Sequence, residues 1–158
     1  EEGFDRHIAK VIALGDALVL VGESGTIARS TDGGMTWTKV DSPYEGSFFG
    51  GLRTADGSAL IFGMRGNVFR STDAGRTWKK VETGTKVAFN GGRAFDDGMV
   101  VLAGNSGKLA LSRDNGQSFE TKNLPGRGYA SVLKRSDGEL LVVGDRGITP
   151  VPAALLAK

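Results

Sequence analysis

Four short apolar runs punctuate the chain: Leu18-Val19-Leu20-Val21, Ala59-Leu60-Ile61-Phe62, Met99-Val100-Val101-Leu102-Ala103 and Leu140-Leu141-Val142-Val143. In each run, consecutive positions are apolar. A strand with one wet face alternates, so these runs predict strands buried on both faces. Each run follows a turn pair, namely Gly15-Asp16, Asp56-Gly57, Asp97-Gly98 or Asp137-Gly138. Each precedes a G-x-x-G turn: Gly22 to Gly25, Gly63 to Gly66, Gly104 to Gly107 and Gly144 to Gly147. Such punctuation predicts hairpins. In the second unit the pattern predicts strands over 48–54, 58–62, 67–71 and 77–81. No amphipathic helix with caps is legible, and the tail from Ala153 has room for one helical turn at most.

A second motif fixes the period. Ser30-Thr31-Asp32-Gly33-Gly34-Met35-Thr36-Trp37 recurs as Ser71-Thr72-Asp73-Ala74-Gly75-Arg76-Thr77-Trp78 and as Ser112-Arg113-Asp114-Asn115-Gly116-Gln117-Ser118-Phe119. Both intervals are 41 residues. Four short strands per unit of about 40 residues are what a blade of a β-propeller requires. A parallel β-helix fits less well, because its rungs are shorter. The expected fold is therefore all-β, a propeller of four-stranded antiparallel blades at about 5–40, 47–81, 87–122 and 128–152. The fourth unit lacks the motif. Ile148-Thr149-Pro150-Val151-Pro152 stands there instead, and proline favours a sheet edge or an end. The chain thus encodes three full blades and a partial fourth.

Composition narrows the function classes. The 158 residues make one domain. Apolar residues at 39% and charged residues at 24% fit a globular chain. Glycine is 25 of 158, with no collagen-like period. There is no cysteine, hence no disulfide, thiolate metal site or Cys nucleophile. A single histidine, His7, argues against His-cluster metal sites and against Ser-His chemistry; its place at the start of the first strand is a structural one. A net charge of +2 is too balanced for nucleic-acid binding, and no apolar run is long enough to span a membrane. No cofactor is implied. A chain opening on Glu1-Glu2 without Met reads as a mature or trimmed product, which leaves room for a targeting segment ahead of it.

S-x-D-x-G-x-T-W resembles the Asp-box, or BNR repeat. The longer pattern from Gly22 through Gly34 (Gly22-Glu23-Ser24-Gly25-Thr26-Ile27-Ala28-Arg29-Ser30-Thr31-Asp32-Gly33-Gly34) is similar to the photosystem II stability/assembly factor-like family of propellers. The resemblance covers the chain from about Ile8 to Gly147. It implies a non-catalytic scaffold that aids assembly or stability of a membrane or envelope complex by binding a protein client. It also implies an extracytoplasmic location, in a periplasm or lumen. Family members carry about seven blades, whereas this chain has just under four.

The box residues Ser30, Asp32, Gly34 and Trp37, Ser71, Asp73, Gly75 and Trp78, and Ser112, Asp114, Gly116 and Phe119 read as structural. An Asp at a turn accepts backbone N–H groups two residues on, the glycine takes angles a side chain resists, and the ring anchors the hairpin. The three Asp residues lie one blade apart and cannot converge on a substrate. Topology puts the boxes and the Asp-Gly turns on one face of the ring. The G-x-x-G turns and the linkers 41–47, 82–86 and 123–128 lie on the other. This second face is the expected partner-binding surface, presenting Tyr44, Arg65, Lys86, Arg127, Tyr129 and Arg146. Arg29, Arg53, Arg70, Arg93 and Arg135 fall nearer the boxes, where they neutralise carboxylates.

The alternative function is a sialidase-like glycoside hydrolase or a carbohydrate-binding propeller, because such families share the box. A sialidase needs converging arginines, a Tyr–Glu nucleophile pair and a complete funnel. Here only Tyr44 and Tyr129 are available, with Glu45 adjacent to Tyr44. The last expectation concerns the ends. Three and a half blades leave two apolar sheet faces open. Either the chain is half of a longer one, or two copies close a ring as a homodimer, or a segment 1–4 completes the last blade and closes a ring of four.

Overall fold

A computed structural model describes residues 6–157. The first blade contains β1 (Ile8–Leu14), β2 (Ala17–Gly22), β3 (Ile27–Ser30) and β4 (Thr38–Lys39). The second contains β5 (Phe48–Arg53), β6 (Ala59–Gly63), β7 (Val68–Ser71) and β8 (Lys79–Val81). The third contains β9 (Phe89–Ala94), β10 (Val100–Gly104), β11 (Lys108–Ser112) and β12 (Glu120–Asn123). The fourth contains β13 (Tyr129–Lys134), β14 (Leu140–Gly144) and β15 (Gly147–Pro150), and is followed by α1 (Ala153–Leu156). Every pairing is antiparallel between sequence neighbours, giving three four-stranded sheets and one of three strands. The four apolar runs fall on β2, β6, β10 and β14, the second strand of each blade; the expected burial on both faces is met in the inner blades, whereas β14 buries Leu140 and Val142 and leaves Leu141 and Val143 half-buried on its open face. β6 and β10 are buried at every position.

Successive blades meet through their first strands, β1 with β5, β5 with β9 and β9 with β13. The first strands therefore form the hub, and β4, β8 and β12 the rim. Between blades the sheets stack face to face. Val19, Val21 and Ile27 of the first blade meet Phe48, Ile61 and Phe69 of the second. Leu60, Phe62 and Val68 of the second meet Phe89, Val100 and Leu102 of the third. Val101, Leu109 and Leu111 of the third meet Tyr129, Val132 and Val142 of the fourth. Each such side chain contributes about 1.5–3 kcal/mol by leaving water. The stack runs in chain order and does not close: among the described residues the first and fourth blades do not pack on each other. The expected role of segment 1–4 in closing a ring of four falls outside the described residues.

The fourth blade is partial, as expected, and lacks both the box and a fourth strand. A third strand does form, β15, and Pro150 pairs with Leu141 at its end. Proline is tolerated because β15 is the sheet edge and its missing N–H faces no partner strand. Where the other blades place a box, the chain turns into α1. Leu155 and Leu156 then pack on the core between the third and fourth blades.

Candidate functional site

The three boxes share one hydrogen-bond pattern. Ser30 Oγ donates to Asp32 Oδ1 at 2.8 Å and accepts the Gly34 N–H at 2.9 Å. The other carboxylate bonds come from Thr36, whose N–H lies at 2.9 Å and whose hydroxyl lies at 2.5 Å. Ser71, Asp73, Gly75 and Thr77 repeat this, as do Ser112, Asp114, Gly116 and Ser118. The Asp span is thus four residues, not the two expected for a simple turn. Two-residue spans occur instead at the Asp-Gly turns, where Asp56, Asp97 and Asp137 accept the N–H of Ser58, Met99 and Glu139. Trp37 and Trp78 donate from Nε1 to the Gly34 and Gly75 carbonyls. Phe119 has no such donor.

These bonds all favour the ionised carboxylate. The Thr36 hydroxyl, then its N–H, lower Asp32 to about 2. Burial works to raise Asp73, but the Thr77 hydroxyl and N–H and the Ser71 hydroxyl prevail, holding it at about 2. Asp114 is lowered by the same balance. Carboxylates so occupied are poor general acids and have little capacity left for a metal. The box glycines have positive φ, +84° at Gly75 and +79° at Gly116. They also touch the preceding blade. A Cβ on Gly75 would come within 2.4 Å of Val19, and one on Gly116 within 2.5 Å of Leu60.

One arginine completes each of the first two blade junctions. Arg29 donates from Nε to the Ala74 carbonyl at 2.8 Å, and Arg70 to the Asn115 carbonyl at 3.0 Å. Arg70 also pairs with Asp56 at 2.8 Å. The neutralising role expected of the arginines therefore holds for Arg70, and for Arg135 with Asp137 and Glu139. Arg29 and Arg70 have the added task of binding the next box through its backbone. Sequence reasoning missed this, although its signal was present: Arg29 and Arg70 are 41 residues apart, and the third unit has Leu111 there, ahead of the unit that lacks a box. Arg93 was also missed in its actual setting. It shares the Phe95 ring with Lys134, their cationic groups 5.8 Å and 5.5 Å from its centre.

The opposite face carries the six residues singled out for partner binding, and they divide into two kinds. Tyr44 and Tyr129 are core residues. The Tyr44 ring stacks on Phe69 and meets Phe48 edge-on, both at 6.2 Å. Tyr129 is buried between blades, and its hydroxyl donates to the Pro125 carbonyl at 2.8 Å. Burial raises its phenol above the ordinary value, with Arg146 pulling the other way. Arg65, Lys86, Arg127 and Arg146 are exposed. The G-x-x-G turns do lie against the linkers, through Gly25 N–H to Gly46 O at 2.9 Å and Gly107 N–H to Arg127 O at 2.7 Å.

Of these four cations, the structure brings Arg127 and Arg146 together. They line one cleft of about 280 Å³ with Pro125, Gly126, Tyr129 and Thr149. Asp145, beside Arg146, is directed to the Gly128 N–H at 3.3 Å. Arg65 and Lys86 sit on the second blade's turn and its following linker, apart from this cleft. Among the described residues no cluster of three or more His, Asp or Glu could hold a metal ion, and no helix is long and apolar enough to cross a membrane.

Comparison with known proteins agrees with this architecture. A family model described as BNR/Asp-box repeat matches residues 28–39 and 69–80, the first two boxes. No curated protein sequence matches the chain. Among solved structures, YCF48 bound to D1 peptide superposes with a TM-score of 0.71 at 20% identity, over 98% of this chain and 52% of that one. The extracellular domain of BT4673 from B. thetaiotaomicron superposes with a TM-score of 0.75 at 16% identity, over 96% and 22%. AFV00434, an ancestral GH74 enzyme, gives 0.77 at 12%, over 92% and 22%. The chain thus spans about half the length of YCF48 and less of the others. At these identities the likeness is one of fold. Taken with the repeated hydrogen-bond pattern, it makes this chain a carrier of the BNR/Asp-box repeat, built as an open arc of β-propeller blades like those of YCF48.

Proposed function

We propose that the chain is a non-catalytic interaction module that holds an extended, acidic peptide segment of a client protein on the face opposite the boxes. The observation that carries this reading is the cleft flanked by Arg127 and Arg146, whose guanidinium groups make no competing ion pair with any described acid. Paired arginines on a rigid scaffold suit carboxylates, which they bind by charge-assisted hydrogen bonds. The likeness to YCF48, solved with a D1 peptide, supports a peptide as ligand. The client belongs to a membrane or envelope complex outside the cytoplasm, a reading supported by the extracellular propeller of BT4673.

The test is fluorescence anisotropy with a labelled ten-residue peptide rich in Glu and Asp. The expected result is saturable, salt-weakened binding that falls at least tenfold when Arg127 and Arg146 are both changed to Glu. Binding unaffected by that change, or absent in the parent chain, overturns the reading. The alternative is a glycoside hydrolase or carbohydrate-binding propeller. The fold likeness to the GH74 enzyme favours it, but the box carboxylates are committed to backbone and hydroxyl donors. Turnover of a fluorogenic glycoside would establish it.

A further inference from the structure

Two grooves open between successive blades, and neither belongs to the cleft of Arg127 and Arg146. The first, of about 640 Å³, lies between the first and second blades. The second, of about 400 Å³, lies between the second and third. They are one feature repeated. Arg29, Thr31, Thr36 and Lys39 of the first groove recur as Arg70, Thr72, Thr77 and Lys80 of the second, each 41 residues on. Arg76, which enters the first groove from the following blade, recurs as Gln117. Thr77 and Trp78 line both grooves, so the two meet at the end of the second box.

The charge in the grooves is positive and only partly spent. Among the described residues, Lys39, Arg76 and Lys79 have no ion-pair partner. Arg70 and Lys80 are paired, with Asp56 and Glu82. Asp41 is the one acid that lines either groove. Hydroxyls and an aromatic ring accompany the cations. Thr36 and Thr77 donate their hydroxyl hydrogens to Asp32 and Asp73, which leaves their oxygens as acceptors. Trp78 donates from Nε1 to the Gly75 carbonyl, so its half-buried ring offers the grooves apolar carbon. The third blade departs from the pattern. Leu111 and Glu120 stand where Arg70 and Lys79 stand, and Glu120 engages Lys122 at 2.7 Å.

We propose that the paired grooves bind an anionic polysaccharide, a chain of uronate or sulfated sugars, along the rim of the first two blades. Its charged groups meet Lys39, Arg76 and Lys79 through charge-assisted hydrogen bonds. Its hydroxyls meet the threonines, and the apolar face of a sugar ring lies on Trp78. An acidic peptide would need a run of free strand edge to pair with, and β4 is only two residues long. A nucleic acid calls for a more basic protein than one of net charge +2. The grooves bind without cleaving: glycoside hydrolysis takes two carboxyl groups, and Asp41 is alone in the linings. The site is independent of the peptide cleft on the linker face.

The chain has two tryptophans, Trp37 and Trp78. Trp37→Phe leaves Trp78 as the reporter, and Phe119 at the same place in the third box shows that a blade accepts a phenyl ring there. This variant is titrated with a heparin hexasaccharide, with oligogalacturonate and with neutral dextran. The expected result is a saturable, salt-weakened change in Trp78 emission with either anionic sugar and none with dextran. A response to one anion alone supports the proposal and names the charged group recognised. Arg76→Glu with Lys79→Glu should lower the affinity at least tenfold at an unchanged melting temperature. The same charge reversal at Lys10 and Lys134, exposed on hub strands, should leave it unchanged. No response to either anion, or equal losses in the two double variants, overturns the proposal. Tighter binding of a single-stranded DNA oligomer or of the acidic peptide to these grooves also overturns it.

Discussion

Arg70 reaches from the third strand of its blade to the Asn115 carbonyl of the next, 3.0 Å from its Nε. Asn115 holds a φ of +58°, so the box loop exposes that carbonyl at the junction. The second and third boxes therefore close their own hairpins and also fasten their blades to the preceding ones. Replacing Arg70 with Leu removes a largely buried charged donor and its bond to Asp56. The expected cost is about 1.5–3 kcal/mol in urea unfolding. Arg135, whose partners are both exposed surface acids, serves as the control. Its change to Ala should leave the midpoint nearly unchanged.

Asp73→Ala leaves the Thr77 N–H and hydroxyl without their acceptor and deprives Ser71 of its own. The loss expected is about 1–3 kcal/mol, read by the same unfolding experiment. Asp73→Asn keeps one carbonyl acceptor and should lose less. Equal losses would show that shape, not acceptance, is what the position requires.

Acid should unfold the protein through these carboxylates. Asp32, Asp56 and Asp73 are held at about 2 in the fold, below the ordinary 3.8. A carboxyl depressed by folding contributes its full stability above the unfolded value and loses it as pH falls towards the folded one. The melting temperature should thus be flat from neutral pH to about 5, then drop between about pH 4 and 2. In Asp73→Asn the drop should be shallower. A profile unchanged by that substitution would contradict the assignment.

Gly116→Ala and Gly33→Ala separate backbone strain from blade contact. Both sites have positive φ, +79° and +74°. Only Gly116 faces another blade, with Leu60 in the way of a Cβ, while nothing lies within 4 Å of one on Gly33. Gly33→Ala should cost about 1–2 kcal/mol, the left-handed penalty alone. Gly116→Ala should cost more, because overpacking adds about 1–3 kcal/mol.

Much of the fold was legible because its physics is local and repeated. Consecutive apolar residues in β2, β6 and β10, with a Gly/Asp turn and G-x-x-G on either side, mark a strand covered on both faces; β14 carries the same run but has one face open. Where a box is present, it marks the hairpin that follows. What was not legible depends on geometry between blades. Tyr129 read as a surface anchor because it follows a glycine-rich linker; its spacing of 40 from Phe89 and 81 from Phe48 shows it to be the aromatic that fills a junction. Tyr44 stacks on a Phe 25 residues away, with no pattern to announce it. The cleft of Arg127 and Arg146 was half visible: both residues were named, but their meeting needed the fourth blade's turn to fold over the preceding linker.

The account holds that the box face supports the arc while the opposite face binds. The most direct measurement takes the melting temperature and the anisotropy-derived affinity for the acidic peptide on the same preparations of Asp73→Ala and of Arg127→Glu with Arg146→Glu. The account predicts that the first variant melts lower and, below its transition, binds as the parent does. The second should melt as the parent does and lose at least tenfold in affinity. An Asp73→Ala protein that melts normally and no longer binds would contradict it.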